Sequence, residues 1–491
     1  MVHRGVGHTA NSRRRIGGSV LGGGKPWHFQ PGPDDRSAAM TAPNDKLRDM
    51  LLTAGMSQAE LARRVKRRAH EIGHAQVSPD ASSVRRWMEG MTPRAPLPVI
   101  IADVFSGHCD RRVTTYDIGL GDQPDLDRSL KYNPSWKETV EAVTELGRAD
   151  MDRRHVLAAL PFTVAAGVGP SRDWLLSTLD QEPKPASGQR LRVEDVTHVR
   201  NMFGSFQEID VMQGGGAGRK LLKEYMNEHV YPLLRRTYSK EVYRALTAAI
   251  CEQTYLLGWM AFDNGEHAAA QRYLIQSLRM AEESQDAALG AHVLAGMADQ
   301  ATLRGNPAEG RRLAQTGRHG LARVDAPSCL ADLWVLEARA LAALGDKTGT
   351  ARAVAASERA FDRADSERDR PTWAKFIDGA YLHGEMANAF RDLKQPDLAA
   401  VHASRSIEHA RKQNRARRGA MSQAALAVTH LQKGDLDAAH SAAVKTIDLA
   451  RRVKSSRAVE ALQDVRKRMT PFGTHPLVAD FNERARTLLA A

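Results

Sequence analysis

Five short turn signals recur through the second half of the chain at nearly constant spacing, and they restrict the fold more than any other feature. They are Asn264-Gly265-Glu266, Gly305-Asn306-Pro307, Gly345-Asp346-Lys347, Lys394-Gln395-Pro396 and Gly434-Asp435-Leu436, and their first residues lie 41, 40, 49 and 40 positions apart. Seven positions before the last four turns sits an alanine: Ala298, Ala338, Ala387 and Ala427. Five positions after the first residue of each turn come Ala269, Gly310, Thr350, Ala399 and Ala439. Small residues at both places let two antiparallel helices cross closely while larger neighbours interlock. Repetition of that unit is the signature of a helical solenoid, in which each pair buries its apolar face against the next.

Composition agrees. Of 491 residues 42% are hydrophobic but only 5% aromatic, and the apolar content leans on Ala and Leu, which favours helix over sheet. The expected fold is therefore all-α. The small residues around a Gly-Asp turn resemble the tetratricopeptide repeat. The period of about 40 exceeds that family's usual length of about 34, so the resemblance implies lengthened helices or loops.

Four segments follow from the pattern. Residues 1–40, with Gly22-Gly23-Gly24, Pro31-Gly32-Pro33 and Arg13-Arg14-Arg15, are expected to be a disordered basic tail, or an overcalled start upstream of Met40. Residues 45–120 read as a small helical domain. Residues 121–190, broken by scattered Pro and Asp and by Glu182-Pro183-Lys184-Pro185, read as a linker with short helices. Residues 191–491 form the repeat domain. Cys109, Cys251 and Cys329 are far apart and give neither a disulfide framework nor a zinc knuckle. No run of 18 apolar residues exists, so no membrane partner is expected and the reading is a cytoplasmic protein associated with the nucleoid. The net charge of +12 suits an anionic partner such as double-stranded DNA.

Within 45–120 three helices are legible. Leu47, Leu51 and Leu52 recur until Gly55. Ser57 and Glu60 form a capping box ahead of Leu61, Val65 and Ala69. Pro79-Asp80 opens a third helix whose Val84, Trp87 and Met88 share one face, closed by Gly90. The stretches Met56–Val65 and Ser82–Trp87 resemble a Cro/CI-type helix-turn-helix. That resemblance places Gln58 near a phosphate, Arg63 and Arg64 on the backbone-facing helix, and Ser82, Ser83, Arg85 and Arg86 outward toward the major groove. From residue 63 to 86, seven Arg and Lys face two acids. One departure stands out: fourteen residues run from Lys66 to Pro79, where the motif uses a turn of about 3–4.

Other motifs carry less. His70-Glu71-Ile72-Gly73-His74 matches a zinc-protease pattern, but Gly73 ends the helix that both histidines would have to share. Arg153-Arg154-His155 resembles an export signal yet lies deep inside the chain. Gly214-Gly215-Gly216-Ala217-Gly218 lacks the strand and the Gly-Lys-Ser/Thr ending of a phosphate loop. The run Arg411–Arg418 is basic enough to extend a DNA-facing surface, or to be a solvated face. No catalytic set assembles, so no enzyme, cofactor or metal is expected.

Taken in order, these parts resemble actinobacterial regulators that join an N-terminal Cro/CI-type helix-turn-helix to C-terminal tetratricopeptide repeats. The likeness rests on Glu60–Glu71, Asp80–Trp87 and Gly258–Asp263, and is nearest to Streptomyces members that restrain sporulation and antibiotic production. It implies a DNA-binding transcriptional regulator, a repressor, whose repeat groove takes a peptide or a protein and which pairs with a second copy as a homodimer. The alternative is a tetratricopeptide scaffold whose first module does not read DNA.

Overall fold

The computed structural model describes residues 42–71, 74, 76–94, 96–109, 113, 115–121, 126–132, 135–152, 162–179, 193–236, 238–364 and 370–489. Among the described residues every regular element is helical, and no helix is long and apolar enough to cross a membrane. The chain divides into two compact units, Met1–Gly121 and Asp122–Ala491. The segment 1–40 lies outside the described residues, as do Arg153, Arg154 and His155 and the Glu182–Pro185 stretch.

The first unit holds α1 (Asp45–Thr53), α2 (Gln58–Glu71), α3 (Ala81–Met88) and α4 (Leu97–Cys109). Leu47, Leu61, Val65, Val84, Trp87, Ile101 and Phe105 form its core, joined by Val113, Ile118 and Leu120. Asn44 ties the ends together. Its Oδ1 accepts from Leu47 N and caps α1, while its Nδ2 donates to the Ile118 carbonyl. Gly119 makes that closure possible: its φ is +64°, and a Cβ there would lie 2.1 Å from Asn44 Oδ1.

The second unit is a repeat-like helical solenoid of six antiparallel pairs. These are α9 (Lys240–Asp263) with α10 (His267–Ser284), α11 (Ala287–Leu303) with α12 (Pro307–Gly320), and α13 (Pro327–Ala343) with α14 (Lys347–Ala364). Then come α15 (Gly379–Asp392) with α16 (Pro396–Lys412), α17 (Ala416–Gln432) with α18 (Leu436–Ala450), and α19 (Ser456–Met469) with α20 (Pro476–Leu489). Each of the five signalled turns has one residue in the left-handed region: Gly265, Gly305, Gly345, Lys394 and Gly434. Gly supplies that conformation without a Cβ penalty. The small residues sit where the helices cross. Ala298, Ala338, Ala387 and Ala427 are buried, and a Cβ on Gly310 would come within 2.8 Å of the Ala298 carbonyl.

The 121–190 region departs from the expected linker. Its α5 (Trp136–Asp152) and α6 (Val168–Leu179) pack into the second unit, burying Val143, Leu146 and Trp174 in the same core as the repeats. Trp174 fills a slot that Gly290 and Gly320 leave open, where a Cβ would stand 2.2 and 2.3 Å from its ring. Asp150 on α5 accepts from Arg219, Lys223 and Tyr273 at 2.7, 3.3 and 2.8 Å. Among the described residues Asp150 lies within α5, and Pro170 and Asp173 lie within α6, so scattered Pro and Asp do not keep these helices from packing.

Two further helices, α7 (Val193–Gln213) and α8 (Gly215–Tyr225), precede the repeats, and the array curls back upon them. Lys454, between α18 and α19, donates its N–H to the Gln213 carbonyl at 2.8 Å and accepts from Gly216 N at 3.3 Å. Ser455 donates to Asp263 at the end of α9, and Arg457 pairs with Asp299 on α11. The last pair thus touches the first two.

Candidate nucleic-acid interface and solenoid groove

In the first unit, α3 is set by its cap. Asp80 accepts from Ser83 N at 2.8 Å, and Asp80 N donates back to Ser83 Oγ, a complete capping box. Ser82 and Ser83 both donate their hydroxyls to Asp80 Oδ1, at 2.8 and 2.7 Å. Those hydrogen bonds hold the Asp80 carboxyl down at about 2. Both hydroxyls, expected to face DNA freely, are therefore engaged in the cap. Burial of Val84 and Trp87 turns Arg85 and Arg86 outward, and both are exposed. Arg85 pairs with Glu89 at 3.0 Å across one helical turn, an exposed contact worth little in water.

On α2, Ser57 Oγ accepts from Glu60 N at 3.2 Å, as a capping residue should. Gln58 is the first helical residue and is half-buried. Arg63 is exposed and, among the described residues, has no ion-pair partner, as is also true of Lys66 and Arg67. Arg64 differs: it pairs with Glu60 at 2.6 Å and reaches His108 Nδ1 on α4 at 3.0 Å. Arg68 likewise bonds Asp103 on α4 at 2.6 Å. These two arginines brace α2 against α4, a role that local sequence does not signal because both partners come from another helix. Helix α2 ends at Glu71, so His70 and His74 do not share one continuous helix. Ile72 and Gly73 lie outside the described residues.

In the second unit the groove expected to await a ligand already holds α7. Phe203, Gln207, Asp210 and Val211 of α7 face Tyr255, Leu256 and Trp259 of α9, and Tyr381, Arg417 and Arg418 of later repeats. Gln253 on α9 donates to the Val199 carbonyl at 2.8 Å. The cavity left among these side chains is about 40 Å³, room for a few waters and no more. The extra residues behind the 49-residue spacing add to this filling, with Trp373 stacked on His292 at 4.8 Å between centroids.

Arg415, Arg417 and Arg418, read from sequence as part of a solvent-facing or DNA-facing run, are directed inward. Arg417 lies between Asp210 and Asp263, 2.9 Å from each. Arg415 pairs with Asp378 at 2.5 Å. Arg418 and Arg339 both grip Glu385, Arg418 at 2.8 Å. Burial opposes ionisation of Glu385, but the two guanidinium groups outweigh it and hold its carboxyl at about 2. Of the basic residues in that run, Arg411 and Lys412 alone stay exposed.

The glycine run that opens α8 serves packing. A Cβ on Gly215 would lie 2.8 Å from the Met260 carbonyl, and its amide donates to Asp263 Oδ2 at 2.9 Å.

The geometry of the first unit is thus a four-helix module with an arginine-bearing outer face on α2 and α3. The profile of the SP15 N-terminal domain family matches residues 47–121, the span of that module. No curated protein matches the chain.

Proposed function

We propose that the chain is a DNA-binding transcriptional regulator. Its first unit acts as a Cro/CI-type helix-turn-helix, and its tetratricopeptide-like solenoid supports association with a protein, a peptide or a second copy. By resemblance, its role is negative control of development or secondary metabolism. The observation that carries this reading is the division of labour along α3. Val84 and Trp87 anchor it in the core while Arg85 and Arg86 project from it. On the neighbouring α2, Arg63, Lys66 and Arg67 are exposed, with no ion-pair partner among the described residues. Arg presents a planar fork to guanine edges or phosphates.

The occupied groove narrows the role of the second unit. A peptide using that groove must displace α7, so a partner that leaves α7 in place docks elsewhere on the solenoid.

A scaffold whose first unit does not read DNA is the second reading. It is favoured by the nine residues separating Glu71 from Ala81, longer than the turn of the motif, and by the use of Ser82 and Ser83 in the cap. Capture of genomic fragments by the full chain, beside Arg85→Ala/Arg86→Ala and at two salt concentrations, separates the two. A regulator gives discrete sites, lost in the variant at a cost of about 1–3 kcal/mol per base-reading arginine. A scaffold gives no sites, or a diffuse signal that salt removes equally from both proteins.

A further inference from the structure

The widest interval in the repeat array, between the turns at Gly345 and Lys394, brings together three side chains with no role in the reading above. Glu358 stands on α14, His383 on α15 and His402 on α16, and their ligand atoms all lie within 4.8 Å of one another. The two imidazoles meet through Nδ1 and Nδ1 at 3.1 Å. His402 is buried, while His383 and Glu358 are half-buried.

We propose that Glu358, His383 and His402 bind a divalent transition-metal ion of the zinc class, which ties α14 to α15 and α16 across the irregular interval. The spacing fits. Two nitrogens each about 2.0–2.1 Å from a tetrahedral ion stand roughly 3.3 Å apart, close to the separation found. The carboxylate oxygen has to approach by about 1–2 Å, within reach of a side-chain rotation for a half-exposed Glu. Two imidazoles and one carboxylate suit zinc, nickel or cobalt better than calcium or magnesium, which prefer oxygen. Three protein donors leave a position for water.

The surroundings act in both directions. Burial first pushes both imidazoles down to about 4, helped at His383 by the positive field of Arg405 and at His402 by His383 and then Arg405. They are therefore neutral at physiological pH, as ligation requires. The same Arg405 charge opposes a dication, and the Glu358 carboxylate offsets it. This makes Glu358 necessary to the site rather than incidental. His409, whose ring lies 6.2 Å from that of His383, is a further imidazole near the site.

The test is metal content and affinity of the full chain. Chelator-treated protein is dialysed against zinc sulfate and the zinc counted per chain, then titrated calorimetrically. Cobalt substitution reads the coordination from its visible absorption. The expected result is one zinc per chain, a rise in melting temperature on loading, and a four-coordinate cobalt spectrum. His383→Gln should weaken zinc binding at least tenfold, and Glu358→Gln, at a half-exposed position that leaves the core intact, should do so measurably. Circular dichroism confirms that each variant is folded. No zinc retained by the wild type, or equal retention by wild type and Glu358→Gln, overturns the proposal. The histidine pair is then an internal Nδ1–H···Nδ1 hydrogen bond.

Discussion

Two arginine-rich stretches look alike in sequence and have opposite fates. On α2 and α3, Arg63, Arg85 and Arg86 project into solvent. At the start of α17, Arg417 and Arg418, with Arg415 just before them, are directed inward to Asp210, Asp263, Asp378 and Glu385. In both, Arg and Lys outnumber local acids. The difference lies in whether distant carboxylates converge on the guanidinium groups: Asp210 is 207 residues from Arg417. A basic run therefore marks a nucleic-acid surface only after the fold has been searched for acids that could claim it. Exposed charges set what the chain attracts, whereas buried pairs set which arrangement of helices is tolerated.

The sharpest way to break this contrast is to remove Arg417. Arg417→Ala leaves Asp210 and Asp263 facing each other without a counter-charge, and stripping one partner from a buried pair costs about 3–5 kcal/mol. Denaturant unfolding of the full chain should show a loss of that order. A loss under about 1 kcal/mol would place Arg417 with the exposed arginines and erase the distinction.

Glu252 sharpens the comparison from the acid side. It is buried on α9, and its nearest basic partner, Arg200, is half-exposed and 3.7 Å away. Burial pushes its carboxyl up to about 7, and Arg200 only partly opposes this. Between the ordinary Glu value of about 4.3 and 7, the native state binds the extra proton. Stability therefore rises as pH falls from 7 toward 5, and is lost as pH rises through 7. The slope from this group approaches about 1.4 kcal/mol per pH unit. His267, His292, His383 and His402, pushed below their usual value by burial, act with the opposite sign as pH falls below 6.5. The informative quantity is thus the difference between wild type and Glu252→Gln, whose pH profile should lack the Glu252 slope. Identical profiles would show Glu252 ionised despite its burial.

The smallest expected effect belongs to the exposed set. Arg85→Ala/Arg86→Ala should leave thermal stability within about 0.5 kcal/mol, as for surface sites with no buried partner. A clearly larger loss would show that these arginines hold the first unit together, and would remove them as candidates for reading DNA.

What the sequence made legible was local chemistry. The five turns, the crossing alanines, the Asp80 cap and the Val84–Trp87 face all depend on residues within one or two helical turns, and each stands where periodicity and turn chemistry put it. What stayed hidden was long-range. Helix α7 carries apolar residues at Val196, Val199, Phe203 and Phe206 but also Asp210, and nothing near it says that its acid meets Arg417. The α5–α6 region read as linker because its breaks were visible and its partners were not. Trp174 finds its slot only through Gly290 and Gly320. His383 and His402 are 19 residues apart across a helical turn, a spacing with no standing as a local ligand motif, and Glu358 comes from the preceding pair.

The meeting of Lys454 with Gln213 has a kinetic consequence. An open stack of helix pairs folds by growth between neighbours and frays from either end, with low contact order and weak cooperativity over long distances. Joining the last pairs to the segment that precedes the first adds contacts spanning some 240 residues, whose loop-closure entropy must be met before they stabilise anything. The second unit should consequently assemble its middle pairs early and its seam late. Once shut, the ring has no free end from which unfolding can begin at that seam, so it is expected to open as a unit rather than pair by pair.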